Sequence, residues 1–222
     1  MDDFRKIIEG KNVLLLGPTS YLYDEGFEED LSEYDIVVKM NRMVETDLCK
    51  EFTNDRCDIL YHCLDVSPQY GNVKYDLKEI SRKGVQHIRI PYPPVNGWYQ
   101  NMINIFNKEN NGLIKYSVTD TELYTDLYLG CGQTSPNTGV IAIFDLLKSN
   151  PLSLTIRGIT FFKGGYNKKY RSKVVTEKEV EMINSRVQNH NTNKQRAFVK
   201  ERLQQYDNIN IDHHFAYGLE LR

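Results

Sequence analysis

The chain has 222 residues, 40% of them hydrophobic and 26% charged, with a formal net charge of −2. That length fits a single domain, residues 1–222, with room for a substantial core, and that charge gives no reason to expect a nucleic-acid partner. No apolar run approaches the roughly 20 residues of a membrane span, and the amphipathic start MDDFRKIIEGKNV lacks the apolar core of a signal peptide.

The predicted elements alternate between short apolar runs and helical patterns, the mark of βαβ units around a parallel sheet. A short N-terminal helix leads into a buried strand at Asn12–Leu16, which ends in the turn Gly17-Pro18-Thr19-Ser20. Strands follow at Asp35–Met40 and Cys57–His62, then a helix over 73–83, a strand at Val85–Ile90 closed by Pro91, and a helix at Trp98–Asn107. The stretch 110–131 is weakly patterned, with Tyr124 and Leu127 in a short helix. Val140, Ile143, Phe144 and Leu147 then recur at helical spacing, which predicts a strong helix over Pro136–Lys148. A β-rich segment at Leu152–Ile156, helices over 176–187 and Thr192–Tyr206, and an edge strand at Ile209–Ile211 complete five or six strands. The four cysteines, Cys49, Cys57, Cys63 and Cys131, form no Cys-x-x-Cys pair and no metal spacing with histidine. They read as small buried residues of a reducing, cytoplasmic compartment.

Four segments have the chemistry of a site. Gly17 ends the first strand, where a glycine lets the backbone turn tightly and approach a ligand, and the hydroxyls of Thr19 and Ser20 stand beside it; a plain βα turn would look the same. Asn41-Arg42 closes the second strand, offering an amide for ribose or base edges and a guanidinium for phosphate or carboxylate; a solvated strand exit is the alternative. Ser135-Pro136-Asn137-Thr138-Gly139 opens the strongest helix, with Ser135 or Thr134 as N-cap and Pro136 in the first turn. Free amides at such a helix start suit an anion, although many helices begin this way for stability alone. His190 precedes Asn191-Thr192 at the start of a late helix, where the positive helix end favours the neutral imidazole that a general base requires. An exposed histidine beside a cap is the plainer reading.

Taken together and in order, these segments resemble the sialyltransferases of glycosyltransferase family 29, in a compact bacterial or viral form. The family's large motif runs from a strand through a G-N-S-like turn to D-x-V-x-R-M-N; here LLLGPTS is followed by YDIVVKMNR. Its small motif centres on P-S-T-G, followed by a helix and a strand ending near Y-G-F; here SPNTGVIAIFDLL is followed by LTIRGITFF. Its last motif pairs a histidine with a following glutamate; here His190 is followed by Gln195. The resemblance spans residues 12–195. Pro18, Asn137 and Gln195 depart from it, the cysteines that join the two large motifs in secreted members have no clear equivalents, and Gly165-Tyr166-Asn167-Lys168-Lys169-Tyr170-Arg171 occupies the place of the third short motif.

The resemblance implies an α/β, Rossmann-like, mostly parallel sheet with helices on both faces, a variant of the glycosyltransferase A type. It implies inverting, metal-independent transfer of a sugar acid, sialic acid or Kdo-like, from a CMP-activated donor to a glycan hydroxyl, with no cofactor. His190 would be the general base. Gly17, Thr19, Ser20, Asn41, Arg42, Asn137, Thr138 and Gly139 would hold the donor nucleotide, and Tyr166, Lys168 or Arg171 would stabilise the departing phosphate. No Asp-x-Asp motif for a metal-dependent sugar-nucleotide enzyme occurs. A non-catalytic nucleotide- or glycan-binding relative is the main alternative, since the three departures are what decay would look like. A methyltransferase would want an acidic residue after the second strand, where this chain has Asn41-Arg42.

Overall fold

The structure, a computed structural model, describes residues 3–19, 21–24, 30–46, 56–66, 74–168, 170, 176–180, 182 and 190–221. Helix α1 (Asp3–Ile8) leads into β1 (Asn12–Leu16); a single turn, α2 (Tyr21–Asp24), and β2 (Ile36–Met40) follow. After β3 (Ile59–Tyr61) come α3 (Leu77–Arg82), β4 (His87–Ile90), α4 (Gly97–Asn110), β5 (Lys115–Val118), α5 (Thr121–Gly130) and α6 (Thr138–Lys148). The chain closes with β6 (Ser153–Arg157), α7 (Thr192–Leu203), β7 (Ile209–Ile211) and α8 (His213–Gly218). Asx residues start the helices: Asp76, Asn96, Asp120, Asn137, Asn191 and Asp212 each accept a backbone N–H of the first turn.

The strands form one sheet of order β5-β4-β3-β2-β1-β6-β7, and every pairing is parallel. Among the described residues the expected mostly parallel sheet is therefore wholly parallel, and the expected five or six strands are seven. The additional strand is β5, a polar edge strand (Lys-Tyr-Ser-Val) inside the weakly patterned region, whose first two residues are exposed. With one side of an edge open to water, no apolar alternation is required of it. Among the described residues no helix is long and apolar enough to cross a membrane.

Side-chain alternation divides the core between the two faces. Ile59 and Tyr61 of β3 join a cluster with α1, α5, α6, α7 and α8, whereas Leu60, Ile88 and Ile90 join a second with α3 and α4. Helix α6 is buried on every side from Thr138 to Leu147. Its only charged residue in that span, Asp145, is paired with Arg89 of β4, Nε and Nη2 donating at 2.7 and 2.9 Å. Tyr61 and Thr119 donate to the same carboxylate at 2.9 and 3.2 Å, Arg89 Nη1 donates to Ser117 at 2.8 Å, and the Phe4 ring lies 4.1 Å from the guanidinium carbon. This network fastens β3, β4 and β5 to α6 beneath the sheet.

The chain steps from β1 to β5 in one direction and then returns to place β6 on the other side of β1. The carboxyl ends of β1 and β6 are thus the sheet's switch point, the crevice where open α/β sheets bind ligands.

Candidate functional site

Two glycines meet at that switch point. Strand pairing ends at Leu16 opposite Arg157, and the next residues are Gly17 and Gly158. A Cβ on Gly17 would lie 2.2 Å from the Gly158 carbonyl oxygen, and one on Gly158, whose φ is +74°, would lie 2.4 Å from the Gly17 oxygen. The two turns pack backbone to backbone, which only glycine permits. Gly17 N donates to Arg157 O at 2.8 Å. Gly158 N donates at 2.5 Å to the Tyr21 hydroxyl, which in turn donates to Asp212 and whose ring stacks on His214 with centroids 3.7 Å apart. Burial raises the Tyr21 pKa, keeping the phenol protonated for that role.

Thr19 lies against the same turn and is only 7% exposed. Its Oγ1 is buried with no hydrogen-bond partner among the described residues. A buried hydroxyl without a partner is costly and uncommon, so it marks where a ligand atom would be welcome. Asn167 N donates to Pro18 O at 3.1 Å and Arg42 Nη1 to Tyr170 O at 3.4 Å, so the loop through Tyr166 bridges the exits of β1 and β2. Tyr166 packs its ring between Phe162 and Tyr170, with centroids 5.8 and 5.4 Å away, and Lys168 is exposed. Ser20 and Arg171 lie outside the described residues, as do Cys49, Lys169 and the end of the predicted 176–187 helix.

Asn41 has a positive φ of 47°, which asparagine tolerates well. Its Oδ1 accepts the Cys63 amide at 2.9 Å, so a ligand would meet its Nδ2 group. Cys57 and Cys131 are buried and Cys63 is half-buried.

At the start of α6 the expected N-cap is corrected. Asn137, not Ser135 or Thr134, is the cap, its Oδ1 accepting from Val140 N at 2.9 Å. Pro136 therefore stands outside the helix rather than in its first turn. Gly139 brings this end close to the switch point: a Cβ there would lie 3.6 Å from Ile159, which also crowds Gly17. Thr138, also buried, begins the helix beside it.

His190 sits immediately before the α7 cap, Asn191, with Nδ1 2.6 Å from the Ser135 carbonyl oxygen. A carbonyl only accepts, so Nδ1 carries the proton, and in the neutral ring Nε2 is the basic nitrogen. Gln195, fully buried, donates from Nε2 to the same carbonyl at 3.3 Å and accepts from Asn137 N at 3.1 Å. The hydroxyls of Tyr99 and Tyr124 approach Ser135 Oγ at 3.5 and 3.4 Å, and Tyr92 donates to Pro136 O at 3.2 Å. Tyr92 and Tyr99 stack within 3° of parallel, and Trp98, half-exposed, meets Tyr99 edge-on. These rings make an aromatic ledge beside Ser135, whose carbonyl oxygen His190 meets.

Contacts link the predicted segments: Asn167 meets Pro18, Arg42 meets Tyr170, Gly17 and Gly139 both approach Ile159, and His190 meets Ser135 just before the Asn137 cap. Sequence reasoning did not single out Gly158, Tyr21 or the structural use of Ser135 and Gln195. Gly158 carried a signal, since it follows a β-rich run as Gly17 does; the others depend on contacts between distant segments. Among the described residues no three His, Cys, Asp or Glu side chains gather as a metal site.

No family model matches the sequence, and no curated protein matches it. Solved structures do. The sialyltransferase CstII from Campylobacter jejuni in complex with cytidine-5'-monophosphate aligns over 91% of this chain and 80% of its own, with 14% identity and a TM-score of 0.57. The same enzyme with the substrate analogue CMP-3FNeuAc aligns over 90% and 78%, with 14% identity and a TM-score of 0.55. The fold is that of CstII. A mammalian sialyltransferase in complex with Gal-beta-1-3GalNAc-ortho-nitrophenol covers 94% of this chain and 71% of its own, at 11% identity and a TM-score of 0.45. The sialyltransferase-like α/β fold expected from the motifs is therefore the fold observed.

Proposed function

We propose that the protein is a glycosyltransferase that moves a sugar acid from a CMP-activated donor to a glycan hydroxyl, with inversion, without a metal, and with His190 as general base. The observation that carries this reading is the Nδ1–H bond from His190 to Ser135 O, which makes Nε2 the basic nitrogen beside a helix start and a glycine-paired switch point. The sialyltransferase fold supports it, as do CstII's complexes with CMP compounds.

In this reading the nucleotide lies across the switch point. Gly17, Thr19 and Ser20 are on one side and Asn41 and Arg42 near the β2 exit, while the α6 amides of Thr138 and Gly139, beside the Asn137 cap, face the anionic groups. The acceptor sugar packs against the ledge of Trp98 and Tyr99, an aromatic surface suited to a pyranose face. His190 Nε2 takes the acceptor O–H proton as the acceptor oxygen bonds to the anomeric carbon. The anomeric C–O bond breaks on the opposite side, and CMP leaves with that electron pair. Tyr166, Lys168 and Arg171 would neutralise the leaving phosphate. Structural roles for Asn137 and Gln195, two of the three departures, weigh against the non-catalytic alternative.

Thermal unfolding with CMP, UMP, AMP, GDP and S-adenosylmethionine, each with and without EDTA, tests the site. Saturation at 100 times the dissociation constant adds about 2.7 kcal/mol, a visible rise in midpoint. Selective, EDTA-indifferent stabilisation by CMP is expected. His190→Ala should keep that stabilisation while donor hydrolysis falls about 10²- to 10⁴-fold. No response to cytidine nucleotides would end the donor assignment, and undiminished hydrolysis by His190→Ala would end the base assignment.

A further inference from the structure

Gln195 is fully buried at the second turn of a helix whose other face is solvated, an unusual place for a primary amide. Both ends of that amide are used, and both contacts reach the peptide segment that precedes α6. Nε2 donates to Ser135 O at 3.3 Å, and Oε1 accepts from Asn137 N at 3.1 Å. The Ser135 carbonyl is also the acceptor for His190 Nδ1, at 2.6 Å. One amide therefore clips the segment between the imidazole and the helix cap, and Asn137 in turn caps α6 through Val140 N at 2.9 Å.

We propose that Gln195 is a positioning residue: it holds the Ser135 carbonyl toward His190, so fixing the imidazole tautomer with Nδ1 protonated, and it keeps the α6 start in register with that imidazole. The inference rests on the reading of His190 as the base, and it gives the amide a role no other side chain fills among the described residues. An ionised glutamate only accepts, so it would turn an oxygen toward the Ser135 carbonyl oxygen; methionine, similar in length, provides no N–H and only a weak acceptor. The neighbouring hydroxyls of Tyr99 and Tyr124 approach Ser135 Oγ rather than its carbonyl, so they do not replace the clip.

Long-range proton–nitrogen spectra of the imidazoles, with His190→Ala to assign the signal, report the tautomer directly. The wild-type protein is expected to show His190 with Nδ1 protonated and Nε2 bare. In Gln195→Met and Gln195→Glu the signal should move toward a mixture of tautomers, with kcat for CMP-sugar hydrolysis falling at least tenfold and KM changing far less. A folded Gln195→Met protein with the wild-type tautomer and wild-type kcat would overturn the proposal. Should neither variant fold, hydrogen exchange of the Gln195 side-chain amide in the wild-type protein decides it. Slow exchange is expected of a clip held on both sides, and exchange as fast as that of an exposed glutamine would overturn it. If the wild-type protein neither binds CMP nor hydrolyses a CMP-sugar, the functional reading fails, while the imidazole spectra still judge Gln195.

Discussion

The molecule has two regions whose buried polar groups have opposite finish. Beneath the sheet, Asp145 accepts four bonds from Arg89, Tyr61 and Thr119, and the remaining guanidinium nitrogen donates to Ser117. At the strand ends, the Thr19 hydroxyl is buried without a partner among the described residues, and two aromatic residues, Phe161 and Phe162, have positive φ. A closed network costs little to bury because its groups satisfy one another. An open one is tolerated where something else completes it. Polarity alone does not distinguish structure from site; the state of completion does.

The largest expected effect comes from opening the closed network. Arg89→Met leaves the Asp145 carboxylate buried with only the Tyr61 and Thr119 hydroxyls, and should cost about 3–5 kcal/mol of stability. Denaturant unfolding measures it. The double change Arg89→Met with Asp145→Leu should recover much of the loss, because an apolar pair needs no partners there. If Arg89→Met proves neutral, the network is not a structural fastening and the contrast with the strand ends fails.

Two histidines sharpen the same contrast. The His190 ring donates from Nδ1 to a carbonyl, whereas His62 accepts at Nδ1 from the Leu64 amide at 3.0 Å, deep in the protein. Burial, with a smaller contribution from the charge of Arg42, lowers the His62 pKa from 6.5 to about 4. The folded state therefore resists protonation that the unfolded chain accepts. The stabilisation is complete above pH 6.5 and is lost as pH falls toward 4, on the order of 3 kcal/mol across that window. Stability curves for the wild-type protein and His62→Gln should diverge in slope between those limits. Parallel curves would mean that His62 titrates like an exposed histidine.

How much of this was legible in the sequence follows from which contacts are local. Buried strands such as NVLLL and the helix carrying Val140, Ile143, Phe144 and Leu147 announce themselves through composition and period. β5 does not, because an edge strand need bury little. Gly17 and His190 could be singled out because each lies beside a local boundary, a strand end or a helix start. Asp145 does not stand out within its helix in the sequence, and that Arg89 pairs with it is a fact of tertiary packing 56 residues apart. Likewise the cap shifted from Ser135 to Asn137. Gln195, 58 residues away in sequence, binds the Asn137 amide and fixes where the helix begins.

The smallest expected effect is also the most discriminating, because two threonines should respond with opposite signs. Thr119→Val removes a hydroxyl that donates to Asp145 at 3.2 Å, and should destabilise by about 1 kcal/mol. Thr19→Val removes a buried hydroxyl that has no partner among the described residues, and relieving its desolvation should leave stability unchanged or raise it by up to about 1 kcal/mol. The gain should come with a loss of CMP binding of roughly threefold to tenfold, the worth of one hydrogen bond to a ligand. Calorimetric titration beside thermal unfolding separates the two quantities. Weaker CMP binding in a Thr19→Val protein no less stable than wild type would assign the hydroxyl to the ligand. Destabilisation with unchanged binding would make Thr19 another member of the folded framework, and the crevice at Gly17 would then lose its most specific contact.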